Sequence, residues 1–332
     1  MKARTFLTLA VSAVFLVLAV WNFHFDEFWA VLRHLNPLYF LPALAAYFCS
    51  FLFRTLRWQV MLKPTKAIPA RSLFRYLVIG YMANNLLPAR LGEIVRAYVT
   101  GNSESMSRSA AFASVLIERL FDGLTIVMIL IVLMLFAGLG QGWLHTTAWI
   151  SASLFVGGLF VLYLMSRYRN GFMAISERML KRLPGPMTAK LNHILQRFVT
   201  GLSLLYAPRA FFLSLAMSFF VWASEVMVYI VYLKAFEIEA PITAACLALV
   251  VVNLSSLIPS SPSYIGVFQY ACIAALEIFG VGATAAFTFS VAVHSTQVIP
   301  ITLLGLYFLS RMGLSLGEIR KAKLNDGSET AN

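Results

Sequence analysis

The chain has 332 residues, of which 60% are hydrophobic and only 12% are charged, whereas an ordinary soluble domain has ~25% charged residues. This composition excludes a water-soluble globular protein, because too few polar residues remain to cover its surface. Lys and Arg outnumber Asp and Glu by 26 to 14, a net charge of +12, which in so apolar a chain indicates cytoplasmic loops and anionic lipid rather than nucleic acid.

Hydropathy predicts an all-α, polytopic membrane protein that begins with a membrane helix at 5–21. We interpret this helix as retained rather than as a cleaved secretory signal, because its apolar run is long and no small-x-small cleavage site precedes Trp21. Five further full spans, each close to the ~20 residues that cross a bilayer, are predicted at 38–56, 112–137, 147–166, 210–233 and 283–309.

Two more apolar segments, 73–100 and 242–279, are interrupted in their middle by proline and polar residues. Each is predicted to form two half-length helices, joined by irregular backbone that is tolerated at this depth only inside protein or beside a wet cavity. We expect both to be re-entrant helix pairs that enter and leave the membrane on the same side. The predicted structural breaks are Pro88 and Gly92 in the first segment, and Pro259, Pro262 and Gly266 in the second.

The distribution of basic residues supports six spans and two re-entrant pairs. Basic residues are concentrated at the N-terminus, after the second span, between the fourth and fifth spans, and in the tail, and we count Arg54 and Arg57 with the loop after the second span. With this layout all four segments lie on the cytoplasmic side, and both termini are inside. We therefore expect an integral protein of a bacterial plasma membrane with a single domain over 1–324.

The stretch 168–200 alternates apolar with basic residues at near-helical spacing. One interpretation is a helix that lies along the cytoplasmic membrane surface with Lys and Arg toward anionic lipid. The other is an ordinary basic loop helix that only fixes topology. The polar tail, 325–332, is predicted to be disordered.

An internal repeat is indicated by two proline pairs. Pro37 and Pro88 are 51 residues apart, and so are Pro208 and Pro259. Each pair is followed by a glycine and by an Ala-rich helix start, which predicts repeats at about 37–137 and 208–310. Because the loop charges place the two units in opposite orientations, we expect an inverted-topology repeat with a site near the midplane.

Charged and polar residues at bilayer depth are the candidate binding residues, because a charge there costs ~2.5–3.5 kcal/mol on insertion scales. In the first break Glu93 stands three residues from both Arg90 and Arg96 and can pair with either on a helix. The full set of candidates is Asn85, Arg90, Glu93, Arg96, Glu118, Arg119, Asp122, Glu225, His294 and Gln297.

Two interpretations of these charges remain open. In the first, they surround a hydrated cavity in which Arg90, Arg96 and Arg119 attract a lipid phosphate while the neighbouring acids hold the arginines or bind a cationic head group. In the second, they are mutually neutralising pairs that only lock the two halves together.

The motifs around these residues resemble a known family. The runs are NNLLPARLGEIVRAY, SAAFASVLIERLFDG, IPSSPSYIGVFQ and HSTQVIPITLLGL, and they are similar to the lysylphosphatidylglycerol synthase transmembrane region, also called the flippase-like domain. The resemblance implies a membrane domain that moves aminoacylated phosphatidylglycerol or another envelope lipid between leaflets. It places on family motif positions Asn85, Pro88, Arg90, Gly92, Glu93, Arg96, Glu118, Arg119, Asp122, Pro259, Pro262 and Gly266.

The sequence departs from the family pattern in its second half. Ser263, Tyr264 and Gln269 stand where many members have Gly, Gly and Glu, and His294 stands where many have Arg. A second half without this acid and this strong base need not accept the same head group. Because the chain ends about 20 residues after the last predicted span, we also expect no synthetase domain.

The sequence therefore predicts a flippase or scramblase for a phospholipid or another phosphate-bearing envelope lipid, without cofactor or metal. It has no nucleotide-binding G-x-x-x-x-G-K-[ST] motif, and Cys49, Cys246 and Cys272 lie in apolar runs as packing residues. The alternatives are an intramembrane enzyme, or a subunit that anchors a separate lipid-synthesis enzyme. The only hydrolase-like motif, at 313–317, is followed by no histidine, which argues against the enzyme. The sequence does not determine the oligomeric state.

Overall fold

The computed structural model describes residues 2–21, 36–87, 91–139, 142–181 and 184–313, together with His24, Asp26, Trp29 and Arg33; for 2–9 only the backbone is described. Of the described residues 85% are helical, and they form twelve α-helices and no strand. The all-α fold class is thereby confirmed. The predicted tail at 325–332 lies outside the described residues.

The described helices are given in chain order. In the first half they are α1 (Lys2–Val20), α2 (Phe40–Leu62), α3 (Ala70–Leu86), α4 (Gly92–Ser103), α5 (Arg108–Phe136) and α6 (Gly142–Arg167). In the second half they are α7 (Arg169–Leu180), α8 (Gly185–Gly201), α9 (Pro208–Ala235), α10 (Ile242–Ser255), α11 (Val267–Glu277) and α12 (Ala283–Arg311). Short 3-10 turns lie at Pro37–Tyr39, Leu202–Tyr206 and Pro262–Tyr264.

In the part of the chain that the structure describes, five helical segments are long and apolar enough to cross a membrane, and they match five of the six predicted spans. They are Pro37–Leu62, Arg108–Phe136, Gly142–Arg167, Pro208–Ala235 and Ala283–Arg311. The remaining prediction, 5–21, falls on the 19-residue helix α1, which at 1.5 Å per residue is about 28 Å long.

The second span is longer than predicted. Helix α2 continues to Leu62, so that Arg54 and Arg57 lie within it and are buried, with 3% and 0% of their surface exposed. Our assignment of these two arginines to a cytoplasmic loop is therefore wrong. The helix continues through them because acids on neighbouring helices neutralise their charge.

Both broken segments form the predicted pairs of half-length helices, α3 with α4 and α10 with α11, and the members of each pair pack against each other. In each pair a side chain accepts a hydrogen bond from the backbone N–H of the glycine at the start of the second helix. Asn84 Oδ1 lies 2.7 Å from Gly92 N, and Gln269 Oε1 lies 2.8 Å from Gly266 N. Pro88 and Arg90 lie outside the described residues.

Helices of the first half pack against helices of the second half. Helix α2 packs along its counterpart α9, the first-half α3 packs on the second-half α12, and the second-half α10 packs on the first-half α5. Exchanging the halves leaves this set of contacts unchanged. The repeat over 37–137 and 208–310 and its orientation in the membrane both stay predictions.

Candidate functional site

A network of buried ionic side chains lies where α2, α4, α5 and α9 meet. Its members are Arg54, Arg57, Arg96, Glu118, Arg119, Asp122 and Glu225. Every one of these side chains except Arg119 is at most 7% exposed. The network therefore holds four arginines against three carboxylates in a region shielded from water.

Glu118 is the acid around which three of the arginines gather. Its carboxylate accepts both terminal nitrogens of Arg96, at 2.7 and 3.1 Å, and lies 3.2 Å from Arg57 Nη2 and 3.0 Å from Arg119 Nη2. The Arg96 guanidinium also lies over the Trp58 ring, 3.5 Å from its centroid. Such forked, charge-assisted contacts are strong, so both terminal nitrogens of Arg96 are engaged by Glu118 and not by the cavity.

This arrangement corrects one predicted pairing. Of the two arginines proposed as partners of Glu93, Arg96 is bound by Glu118 instead, and Arg90 lies outside the described residues. Glu93 accepts a hydrogen bond from Asn84 Nδ2 at 3.4 Å. Arg96 prefers Glu118 because a carboxylate on the facing helix can meet both of its terminal nitrogens at once.

Asp122 and Glu225 complete the network and connect the halves. Asp122 lies 2.6 Å from Arg57 Nη1, which also donates to Ser218 Oγ at 2.7 Å. Glu225 accepts from Arg54 Nη2 at 3.2 Å and from Ser50 Oγ at 2.8 Å. Arginines of α2 therefore neutralise both carboxylates. Our sequence analysis gave these two arginines only a role in membrane topology.

The contacts around Arg54 follow the repeat. Arg54 stands seventeen residues after Pro37, as Glu225 does after Pro208. Within its own half Arg54 lies 3.5 Å from Asp122, and Glu225 accepts from Gln297 Nε2 at 3.0 Å. Asp122 and Gln297 also correspond, since each is the twelfth residue after Ala110 or Ala285. The ion pair thus joins corresponding positions of α2 and α9 where these helices cross.

A cavity of about 160 Å³ lies beside this network, between the two halves. Six predicted site residues line it, namely Asn85, Glu93, Arg119, Glu225, His294 and Gln297. Three others, Arg96, Glu118 and Asp122, do not line it but stand behind its wall and hold the arginines in place. The structure therefore contains both the cavity and the locking ion pairs that the sequence offered as alternatives.

Three network members line the cavity, Arg54, Arg119 and Glu225, and Arg119 is the most exposed of them. Its side chain is 28% exposed. One terminal nitrogen donates to Tyr81 Oη at 3.0 Å, and the guanidinium lies 5.5 Å from the Tyr81 ring centroid. Arg54, in contrast, is enclosed between Tyr81 and Trp222, with distances of 5.4 and 5.0 Å to the ring centroids. An anion that enters the cavity would meet Arg119 first.

The part of the second-half wall around His294 has no acid or arginine among its lining residues, while Glu225 lines the cavity elsewhere. His294 corresponds to Arg119 in the repeat, since both are ninth after the Ala-rich start, and its ring stacks on Phe268 at 4.3 Å. Its Nδ1 is 3.1 Å from Gln269 Nε2. These two residues are the positions at which the sequence departs from the family pattern of Arg and Glu. The two departures are in contact, so a His–Gln pair stands where many members have Arg and Glu.

Helix α1 packs behind the second break. Ser12 Oγ accepts a hydrogen bond from Ser261 N at 2.8 Å, and Phe15 meets Tyr270 edge to face at 5.4 Å. Gly266 has φ +87°, and a Cβ there would come within 2.4 Å of the Ser12 carbonyl oxygen. This close approach requires glycine at position 266. The predicted break residues Pro259 and Pro262 flank the same contact.

Sequence reasoning missed several residues of the site. Arg54 and Arg57 could have been found from their spacing with Ser50, which puts all three on one face of a helix. The aromatic residues Tyr81 and Trp222 carried no comparable signal, because aromatic residues in an apolar helix are usual. Among the described residues no group of three or more His, Cys, Asp or Glu is placed to hold a metal ion.

Comparison with known proteins shows similarity to one family of membrane proteins. A family model for the lysylphosphatidylglycerol synthase TM region matches residues 5–305. The UPF0104 membrane protein of Methanothermobacter thermautotrophicus is 22% identical over 95% of this chain and 95% of its own length. A second UPF0104 membrane protein, from Methanocaldococcus jannaschii, is 25% identical over 67% of this chain and 90% of its own. The glycosyltransferase AglD of Haloferax volcanii is 24% identical over 77% of this chain but only 46% of its own length.

Proposed function

The chain belongs to the lysylphosphatidylglycerol synthase TM region family of integral membrane proteins, and on that premise we propose that it moves a phosphate-bearing lipid between leaflets. The observation that carries the proposal is the part-exposed side chain of Arg119 in a cavity between the two halves. We propose that the lipid head group crosses through this cavity.

A phosphate is the ligand that this guanidinium fits best. Arginine offers planar pairs of N–H donors that match phosphate oxygens, and Arg119 brings such donors to the cavity. Charge interactions are stronger in a region of low dielectric than in water. The buried pairs of Arg57 and Arg96 supply the rigid support, so that Arg119 is held in position before the lipid arrives.

The size of the cavity limits what enters it. A volume of about 160 Å³ is small beside the ~300–1,000 Å³ of pockets that enclose whole drug-sized ligands. We propose that only the head group occupies the cavity while the acyl chains stay in the bilayer. The two broken hairpins, which carry lining residues such as Asn85 and Tyr264, are the elements whose movement would open the cavity to one leaflet and then the other.

The remaining parts of the proposal rest on the sequence analysis. We propose that the protein is not an enzyme, that it uses a lipid gradient or ion movement rather than ATP, and that it lies in a bacterial plasma membrane with both termini inside. Its partners would be membrane lipids with anionic or phosphate-bearing head groups.

A second candidate function is that of an accessory subunit for a separate lipid-synthesis enzyme. It is supported by AglD, a protein named as a glycosyltransferase in which the region similar to this chain makes up less than half of the length. Such an arrangement would put a lipid-handling domain beside a lipid-modifying one. An accessory subunit need not exchange lipid by itself, and this separates the two functions.

The test is leaflet exchange by the purified protein in vesicles. Fluorescent phosphatidylglycerol in both leaflets would be quenched from outside, with protein-free vesicles as the reference. We expect the protected inner-leaflet fraction to disappear in vesicles that contain the protein. Protection equal to that of empty vesicles, across several phosphate-bearing lipids, would rule out transport and leave the accessory function.

A further inference from the structure

Glu93 lines the cavity, and among the described residues no arginine lies within ion-pair distance of its carboxylate. Resting on the proposed function, we propose that Glu93 binds a proton when a lipid phosphate binds Arg119, and that lipid and proton cross the membrane together. The proton would come from the water on one side and be released to the water on the other. Each cycle would then move one singly charged phosphate and one proton, without net charge.

The contacts of Glu93 set it apart from the other acids of the site. Glu118, Asp122 and Glu225 each lie within 3.2 Å of a guanidinium nitrogen. Glu93 instead accepts a hydrogen bond from Asn84 Nδ2 at 3.4 Å. A neutral amide stabilises a carboxylate less than a guanidinium does, because it carries no charge. Glu93 can therefore take up a proton without the loss of an ion pair.

A bound phosphate supplies the reason for the proton to bind. Glu93 and Arg119 line the same cavity of about 160 Å³, and their charges interact. Arg119 also lies 3.0 Å from Glu118 and 3.6 Å from Asp122, so its positive charge is shared before a phosphate arrives. A phosphate adds a negative charge where charge interactions are stronger than in water, and a nearby like charge favours the protonated form of a carboxylate.

The other titratable groups around Glu93 are less suited to take this proton. Helix α4, which carries Glu93, packs against α3 and α5. Apart from the arginines and their three partner acids, the titratable groups of the cavity wall are Tyr47, Tyr81 and His294. Arginine and tyrosine already hold their protons near pH 7. His294 is therefore the one alternative among the described lining residues.

The hydrogen bonds of His294 argue against a second proton on its ring. Gln269 Oε1 accepts from Gly266 N at 2.8 Å, which turns Gln269 Nε2 toward His294 Nδ1 at 3.1 Å. An amide nitrogen only donates, so Nδ1 accepts in this contact and carries no proton. A doubly protonated His294 would lose this hydrogen bond, whereas protonation of Glu93 breaks no ion pair.

The surroundings of Glu93 favour a proton over a metal ion. Hard metal cations are held by several oxygen ligands. The neighbouring amide of Asn84 turns its oxygen to Gly92 N at 2.7 Å and its nitrogen to Glu93. In the described part of the chain no group of three or more His, Cys, Asp or Glu is placed to hold a metal ion. A proton needs only the carboxylate itself.

The test is the distribution of labelled lipid under a pH gradient. The full chain would be reconstituted in vesicles with fluorescent phosphatidylglycerol, the membrane potential would be clamped with potassium and valinomycin, and the inside made one pH unit more alkaline. We expect the labelled lipid to accumulate in the inner leaflet, up to about tenfold over the outer one, since one pH unit is a tenfold ratio for one proton per lipid. Protein-free vesicles with the same gradient are the reference, and nigericin, which collapses the gradient, should restore an even distribution.

Two variants assign the proton site. Glu93→Gln should distribute the lipid evenly in spite of the gradient, whereas Glu277→Gln, which changes an exposed acid at the end of α11, should accumulate lipid as the native chain does. Proton uptake is a second measurement that does not depend on exchange. At pH 7 in weakly buffered detergent solution, the native chain should take up about one proton for each phosphatidylglycerol bound, and Glu93→Gln should take up none.

The outcomes separate this inference from the proposed function. Absence of lipid exchange by the native chain would overturn both. Exchange with an even distribution under the pH gradient, or accumulation driven by a sodium gradient instead, would overturn proton coupling alone. Equal accumulation, or equal proton uptake, by the native chain and Glu93→Gln would overturn the assignment of the proton to Glu93.

Discussion

Arg54 and Glu225 occupy corresponding positions in the two halves of the chain and form an ion pair with each other, with 3.2 Å between Nη2 and Oε1. Both side chains are buried, at 4% and 6% exposure. Because the pair lies where α2 packs along α9, it joins the two halves at the contact between these two helices. A charge pair at this crossing can persist while the hairpins on either side of it move.

Removing one partner of this pair should destabilise the protein strongly. Arg54→Leu would leave the Glu225 carboxylate buried without its arginine, a change that typically costs ~3–5 kcal/mol. The double variant Arg54→Leu with Glu225→Leu should recover part of the loss, and the coupling between the two changes can be measured from unfolding of all four proteins in detergent. If the effects of the single variants simply add, the two side chains do not interact as described.

Substitution of Arg119 should affect lipid exchange, whereas substitution of Arg57 should affect stability. Arg119→Gln should lower lipid exchange to the level of protein-free vesicles with little loss of stability, because this side chain is part-exposed at the cavity. Arg57→Met should lower stability, because Arg57 is fully buried and binds Glu118 and Asp122. Exchange in vesicles and thermal unfolding of each variant are the measurements. A stable Arg57→Met protein would contradict the supporting role given to the network.

Gly92 should tolerate no side chain. A Cβ at this position would lie 2.0 Å from the Gly80 carbonyl oxygen and 2.5 Å from Asn84 Oδ1, so Gly92→Ala should force α3 and α4 apart and abolish exchange. Gly157→Ala is the matched control, because a Cβ there meets nothing within 4 Å. Alanine also favours a helix over glycine, so the control should be at least as stable as the native chain. Equal exchange by the two variants would show that the close packing of this hairpin is not needed.

The contact between α1 and the second break should depend on Gly266. Gly266→Ala combines a strained backbone with a collision against Ser12, so hydrogen exchange in α1 should become faster. Gly280→Ala separates the two causes, since Gly280 also has a positive φ, +78°, but has open space around it. We expect Gly280→Ala to leave the rate of hydrogen exchange in α1 unchanged. The same acceleration in both variants would mean that backbone strain, not the contact with α1, is responsible.

Much of the fold could be predicted because hydropathy and helix breakers act locally. The five long spans and the two broken hairpins follow from apolar runs and from the proline and polar residues that interrupt them. The end of α2 could not be predicted in this way, because Arg54 and Arg57 continue the helix only through Asp122, Glu118 and Glu225, which are far away in sequence.

The site was predictable to the extent that a charge in an apolar helix is conspicuous. Arg119, Glu225 and His294 were found by that signal. Which of the site residues line the cavity and which support it could not be predicted, because this depends on how helices from both halves pack together. Spacing within one helix predicted Glu93 as the ion-pair partner of Arg96, whereas in the structure the partner is Glu118 on a neighbouring helix.

The most direct test of the account is to block the cavity in a protein that is otherwise unchanged. Cys49, Cys246 and Cys272 would be replaced by alanine, and Val298, which lines the cavity, would be changed to Cys and labelled with a bulky methanethiosulfonate in reconstituted vesicles. A cysteine at Phe220, exposed on the outside of α9, serves as the control. The account predicts that labelling at position 298 stops lipid exchange, that a reductant restores it, and that labelling at position 220 has no effect. Exchange that continues at its full rate with position 298 labelled would contradict passage of the head group through the cavity.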